Sequence, residues 1–207
     1  MARKPLTKPR KKASQERSRA TVDALVEATA RILVKEGFDK ASTNRIAEVA
    51  GVSVGSLYQY FPSKEALVVA VIGRHNRETM QLVRSALSEV AAQPVEYAIP
   101  KMVAAAIRAH RIDPKLHRVL TEQIPRIGQL ENVEAFNREY FALFREYLAN
   151  CQDALRSIDL DLAAYVCVTS IEALAHNAVL RSARLTDGEA EALTDEASRM
   201  IVGYLLR

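Results

Sequence analysis

The chain has 207 residues, 49% hydrophobic and 26% charged, with two cysteines. That is enough for one large domain or two small ones with a real core, and it excludes a disordered, collagen-like or disulfide-built chain. The net charge of +4 is unevenly placed: residues 1–19 hold eight Lys/Arg against Glu16, a segment net of +7 that leaves −3 for the rest, so a polyanionic partner is expected at the amino-terminal end.

Residues 1–13, with two prolines and many cations, are expected to be disordered in the absence of DNA. Ser14 can cap a first helix reaching Glu36, along which Val22, Leu25, Val26, Thr29, Ile32 and Leu33 form one stripe. Gly37 ends it, and Phe38 folds back. Ser42 or Thr43 can cap a second helix, because a hydroxyl there accepts from an otherwise unpaired backbone N–H. Ile46, Val49 and Ala50 share its face. Gly51 comes next, where a helix end favours a left-handed backbone. Ser53 then caps a third helix from about Val54 to Tyr60. Ala47 permits a close crossing, and Val52 and Leu57 fill the gap. This is the pattern of a helix-turn-helix, whose second helix enters the DNA major groove.

Pro62-Ser63 opens a fourth helix, capped by Ser63 and continuing to about Ala92. Pro94, Pro100, Pro114 and Pro125 punctuate the middle of the chain. Helices are expected at about 95–111, 115–124 and 131–156, with Pro100 either a kink or a late first turn. The third carries an aromatic-rich stripe of Val133, Phe136, Tyr140, Phe144, Tyr147 and Leu148. Residues 160–181 are apolar nearly all round after Asp161, so this helix must be buried on more than one side. A last helix spans about 187–206. The fold class is therefore all-α, with about nine helices: a basic arm at 1–13, a helix-turn-helix domain at 14–62 and a helical core at 63–207.

The run Ile46-Ala47, Ala50-Gly51-Val52-Ser53, Gly55, Leu57-Tyr58, Tyr60-Phe61 and Lys64-Glu65-x-Leu67 resembles the TetR family of bacterial transcriptional regulators. The resemblance is strong over the first third of the chain. It implies a dimer, a palindromic operator and, as the usual mode, repression.

The candidate groove-facing set is Val54, Ser56, Leu57 and Tyr58: Ser bonds either base edge, and apolar groups touch a thymine methyl. Arg45 can reach a base or a phosphate. Thr43, Ser53, Tyr60 and Lys64 are candidate phosphate contacts, as similar positions are in the family. On this reading Lys64→Ala weakens binding to every sequence and lowers the salt slope by about one. Ala164, Val168, Ile171 and Ala175 form a small-residue face which, with Leu193, Ala197, Met200, Ile201 and Tyr204 on the last helix, suits a symmetric four-helix dimer interface.

Glu172 and His176 lie at i and i+4, with Asn177 beside them. They are either a structural pair or the polar anchor of an apolar pocket. Met102, His110, His117, Glu122, Tyr140 and Phe144 are further pocket candidates. The expected partners are double-stranded DNA, a second copy of the chain and a small, mostly apolar effector of unknown identity. That effector is expected to move the fourth helix and change the spacing of the recognition helices.

Cys151 and Cys167 have no metal-ligand or CxxC spacing, and Cys167 reads as a buried hydrophobe. No metal and no cofactor are expected. There is no phosphate loop or nucleophile elbow, so the chain does not read as an enzyme. No apolar run is expected to reach the about 18 residues a membrane span needs, and the chain is expected to be cytoplasmic. A DNA-binding activator or architectural protein without an effector is the alternative, and an enzyme using the core is the remote one.

Overall fold

The computed structural model describes residues 16–127, 130–181 and 185–206, the side chains of 17, 123–127 and 130–136 excepted. The arm at 1–13, Ser14, and the side chains of Val133 and Phe136 lie outside the described residues. Nine α-helices and one 3₁₀ turn are present among those described: α1 Glu16–Glu36, α2 Thr43–Ala50, α3 Val54–Tyr60, α4 Lys64–Val90, α5 Val95–Arg111, α6 Pro114–Ile127, α7 Leu130–Asn150, the 3₁₀ turn Gln152–Ala154, α8 Leu160–Arg181 and α9 Asp187–Leu206. Local chemistry sets many of these boundaries. Ser63 Oγ accepts from Ala66 N at 3.2 Å and caps α4. Asp159 does the same for α8 through Leu162 N at 2.8 Å. At α9, Thr186 and Glu189 form a capping box: Thr186 N donates to Glu189 Oε2 at 2.8 Å and Glu189 N donates to Thr186 Oγ1 at 3.3 Å. Pro100 lies inside α5.

The chain forms two compact units, which divide it differently from the expected boundary at 62/63. Residues up to His75 join Lys115–Leu130, while Asn76–Pro114 join Glu131–Arg207. The helix-turn-helix therefore shares its unit with the first part of α4 and with α6. That unit has its own core, in which Leu25, Leu33, Ile46, Leu57 and Leu67 are fully buried, Phe61 and Ile72 nearly so, and Leu116 and Leu120 of α6 join them. Side chains of this size each contribute about 1.5–3 kcal/mol on burial.

The second unit is built on the apolar faces of α5, α8 and α9, together with α7 and the later part of α4. Ile99, Ala106, Leu148, Ala163, Cys167, Ala175, Ile201 and Leu205 are at most 1% exposed. Burial pushes the Cys167 thiol up to about 12, which keeps it an inert thiol. Arg111 ties α5 to the start of α9 through Leu185 O at 3.0 Å and Asp187 Oδ1 at 2.7 Å.

Two expectations are corrected here. By length and composition α8 is apolar enough to cross a membrane, against the expectation from sequence, although its buried face belongs to this core. The small-residue face also points inward. Ala164, Val168, Ile171 and Ala175 are 0–3% exposed within the chain's own core, because small side chains let α8 sit close to its intrachain neighbours. Ala197 and Ile201 are buried likewise. Leu193 and Tyr204 are partly buried against the same core, and Tyr204 is covered by Arg156, which donates from Nε to its carbonyl at 2.6 Å. Of the proposed set only Met200 is exposed. On α8 and α9 the exposed large apolar groups among the described residues are Leu162, Tyr165 and Met200, and Tyr97 and Ile112 are exposed elsewhere in the unit; Tyr165 stacks on Phe141 at 5.8 Å between ring centroids.

Candidate nucleic-acid interface and core cleft

The geometry of α2 and α3 arises from a few small residues. Ser42 caps α2 by accepting from Arg45 N at 3.2 Å. Gly51 closes α2 at φ 68°. Its N–H donates to Glu48 O at 3.1 Å, and Val52 N donates to Ala47 O at 3.0 Å. These two bonds make a Schellman motif, which needs the left-handed residue that Gly supplies without strain. Ser53 then caps α3, accepting from Ser56 N at 3.1 Å. Across the motif, Thr43 Oγ1 and Tyr58 OH share a hydrogen bond of 3.0 Å, which fixes the start of α2 against the exposed face of α3.

The expected DNA contacts separate into two groups. Thr43, Ser53, Val54, Ser56 and Tyr58 are exposed or partly exposed, although Val54 also packs on the core. Leu57 is fully buried and cannot face a groove: it is the plug of the motif. Tyr60 is 8% exposed and its hydroxyl donates to Ser18 Oγ at 3.2 Å, holding α1 to α3. Arg45 pairs with Glu48 at 2.9 Å and with Glu36 at 3.7 Å, which joins α2 to the last residue of α1.

The Lys64 ammonium donates to Phe38 O at 3.0 Å and sits 4.0 Å from the centre of the Phe38 ring. Its first role is to hold down the connection between α1 and α2. The structure therefore changes the outcome expected of Lys64→Ala: a loss of about 1.5–3 kcal/mol in urea unfolding, the range for a hydrogen bond to a charged group, with little change in the salt slope of DNA binding. A slope lower by about 0.9 with unaltered stability would restore the phosphate role.

Asn44, Gly55 and Gln59, absent from the set expected from sequence, are all exposed. Neither amide has a hydrogen-bond partner among the described residues. Gly55, Tyr58 and Gln59 lie at i, i+3 and i+4, hence on one face of α3. That spacing is legible in the sequence for Gly55 and Gln59, whereas the want of an internal partner for the two amides emerges only in the structure.

The second unit contains a small apolar cleft of about 10 Å³, room for about one water molecule, partly open to solvent and lined by Val83, Leu87, Met102, Tyr140, Phe144, Val168 and Ile171. Met102, Tyr140 and Phe144 were expected there. Val168 and Ile171, assigned to the dimer face from sequence, are part of this wall. The Tyr140 hydroxyl donates to the Glu172 carboxyl, and His110 Nε2 lies 3.5 Å from Glu172 Oε2. His110 Nδ1 donates to Ala106 O at 2.9 Å, which turns Nε2 towards Glu172. The rings of His110 and His176 meet edge to face at 6.2 Å. His117 and Glu122 belong to the first unit instead. His117 Nδ1 bonds His75 Nε2 at 3.2 Å, and Glu122 is exposed. Asn177 is also exposed and donates back to Ala173 O of its own helix at 2.7 Å.

Burial raises the Glu172 carboxyl above the usual glutamate value, against the opposing effects of His110 and the Tyr140 hydroxyl. Burial of the phenol, with Glu172 beside it, raises Tyr140 well above its usual value. Burial also lowers His176, helped by His110. A carboxyl raised in the fold carries no penalty where it is protonated in both states. It penalises the fold increasingly as pH rises from the unfolded value of about 4.3 through its own raised value. Glu172→Gln, which still accepts from Tyr140, is expected to exceed the wild type in unfolding free energy at pH 7, with the gap closing below about pH 4. Urea unfolding between pH 4 and 8 measures it, and a gap that widens on acidification contradicts the assignment.

Known proteins match the chain in two parts. Residues 25–71 match the family model described as bacterial regulatory proteins, tetR family, and residues 94–205 match the tetracyclin repressor-like C-terminal domain. The chain is 29% identical over 117 residues to the nucleoid occlusion factor SlmA of Haemophilus ducreyi, covering 56% of this chain and 55% of that protein. It is 44% identical over 50 residues to the HTH-type transcriptional repressor KstR of Mycolicibacterium smegmatis, 24% of each. The chain thus spans about half the length of the first of these relatives and about a quarter of the second. A solved TetR-family transcriptional regulator from Mesorhizobium loti shares the fold with a TM-score of 0.77 at 19% identity, over 93% of this chain and 100% of that one.

Proposed function

The chain belongs to the TetR family of bacterial regulatory proteins, and from that premise we propose that it is a homodimeric, sequence-specific repressor released from a palindromic operator by a small, mostly apolar ligand. The observation that carries the proposal is the exposed stripe of α3, held to α2 by the Thr43–Tyr58 bond. It presents Ser56, Tyr58 and Gln59 as a short polar surface at the position of a major-groove reader. Two such helices related by a two-fold axis fit half-sites about 34–36 Å apart. Leu162, Tyr165 and Met200 on α8 and α9 supply exposed apolar surface for that pairing. The ligand reading is supported by the apolar lining of the cleft and the Tyr140–Glu172 pair at its edge, the composition of small-molecule sites, and a ligand enters only by widening the cleft beyond its about 10 Å³. The helix α4 runs unbroken from Lys64 to Val90 and is the element through which occupancy of the core acts on DNA binding.

The test has two stages. Enrichment from random duplexes, then titration at several salt concentrations, identifies the operator and the number of phosphate contacts. A thermal-shift screen then finds ligands, and operator titration with each hit measures coupling, expected at about 1–3 kcal/mol or a 5- to 150-fold loss of affinity. A tight ligand that leaves operator affinity unchanged refutes release. The small volume of the cleft favours a second reading, an effector-independent DNA-binding protein. Under that reading DNA binding survives every ligand that fills the cleft.

A further inference from the structure

We propose that Gly55 is a clearance position: its missing side chain lets the first turn of α3 approach a base-pair edge in the major groove, and so helps set operator specificity. This rests on the DNA-binding reading above. Three observations support it. Among the described glycines only Gly37 and Gly51 have positive φ, so the backbone at Gly55 does not require Gly. A Cβ built on Gly55 meets nothing nearer than Ser53 Oγ at 3.9 Å, an ordinary contact, so the packing of the chain does not require it either. Gly is nevertheless among the poorer residues for a helix, and α3 is only seven residues long. What remains is the outside. Gly55 is exposed, the second residue of α3, and shares its face with Tyr58 and Gln59. The first turn of a recognition helix is the part whose residues contact base edges. A notch there, flanked by Ser56 and Gln59, seats the helix deep enough for both side chains to reach their bases.

A methyl added at this point stands between the helix and the groove floor. It therefore acts on discrimination more than on the phosphate contacts that supply non-specific affinity. The experiment compares Gly55→Ala with Gly188→Ala. Gly188 occupies the same place in α9, with nothing within 4 Å of its built Cβ, and so reports the effect of helix propensity alone. Both variants are expected to melt at or slightly above the wild-type temperature. Gly188→Ala keeps full affinity for the operator enriched by the wild type. Gly55→Ala loses about tenfold or more, the worth of one or two base contacts, while its affinity for random duplex changes little. Gly55→Ser, well tolerated near a helix start, is the second variant should Gly55→Ala lose helical signal, and the same loss is expected of it. Renewed enrichment with Gly55→Ala should return a consensus altered at one symmetric position per half-site. If the wild type enriches no duplex at all, the proposed function and this assignment both fall. If the wild type has an operator and both Gly55 variants bind it as tightly as the wild type, only the Gly55 assignment falls.

Discussion

Leu57→Ala destabilises the helix-turn-helix unit instead of altering what it reads, at an expected cost of about 2–5 kcal/mol. The residue lies in the recognition helix, two positions from exposed Gln59, yet it has no accessible surface and packs with Ile46, Phe61 and Leu67. Truncation there removes buried methyl groups and leaves a cavity that α2 and α3 can only partly close. Against a total stability of about 5–15 kcal/mol for a domain, the loss raises the unfolded population by a factor of about 30 to 5,000, and what binding is lost is lost for operator and random duplex alike. The adjacent residue gives the opposite result. Tyr58 is 40% exposed, so Tyr58→Ala forfeits only the Thr43 hydrogen bond, about 0.5–1.5 kcal/mol of stability. It should still lose about tenfold or more in operator affinity, the worth of a base or phosphate contact. Urea unfolding and fluorescence anisotropy on the two variants form a crossed pair. A Leu57→Ala protein that melts normally but no longer distinguishes operator from random DNA would return Leu57 to the groove-facing set.

The contrast between these neighbours shows where sequence reading reaches its limit. Helix boundaries are legible because single residues encode them: Ser42, Gly51, Ser53 and Ser63 act through their own hydroxyls or backbone, and nothing distant is needed to interpret them. The facing of a seven-residue helix is another matter. Val54 and Leu57 suit a thymine methyl and a protein core equally well, and what decides is Phe61 and Ile46 packing against Leu57. Tyr60 and Lys64 read as phosphate contacts because their partners, Ser18 and the Phe38 carbonyl, are 42 and 26 residues away in sequence. In α8 the difficulty is one of phase. A helix apolar on all sides has no periodicity to show which face is inward, so the face of Ala164, Val168, Ile171 and Ala175 is placed outside from sequence when it lines the interior. Tyr140, Phe144 and Glu172 stand out because aromatic rings and a carboxyl at helical spacing in an apolar stretch are unusual. The meeting of Glu172 with Tyr140 and with His110 across helices is beyond what spacing encodes.

Phe144→Ala is expected to destabilise the second unit by about 3–5 kcal/mol, the range for removing a buried phenyl ring, and to abolish the response to ligand. Phe144 is 4% exposed, tilts against Tyr147 at 6.3 Å between ring centroids and forms part of the cleft wall beside Met102, Tyr140 and Ile171. Loss of the ring enlarges a cleft of only about 10 Å³ and removes one face of whatever the cleft holds. Phe144→Leu separates the two effects. It refills most of the volume, restores much of the stability and leaves the aromatic contact missing. The measurements are urea unfolding of each variant, thermal shift with the ligand found on the wild type, and operator titration with and without that ligand. If the cleft is the effector site, Phe144→Leu binds operator like the wild type but needs about tenfold more ligand for release, a loss near the 1–3 kcal/mol that small changes in a hydrophobic pocket produce. If the ligand releases Phe144→Leu at the wild-type concentration, the effector binds elsewhere. If no ligand alters operator affinity in any of the three proteins, the effector-independent reading stands and the cleft is a packing defect of the core.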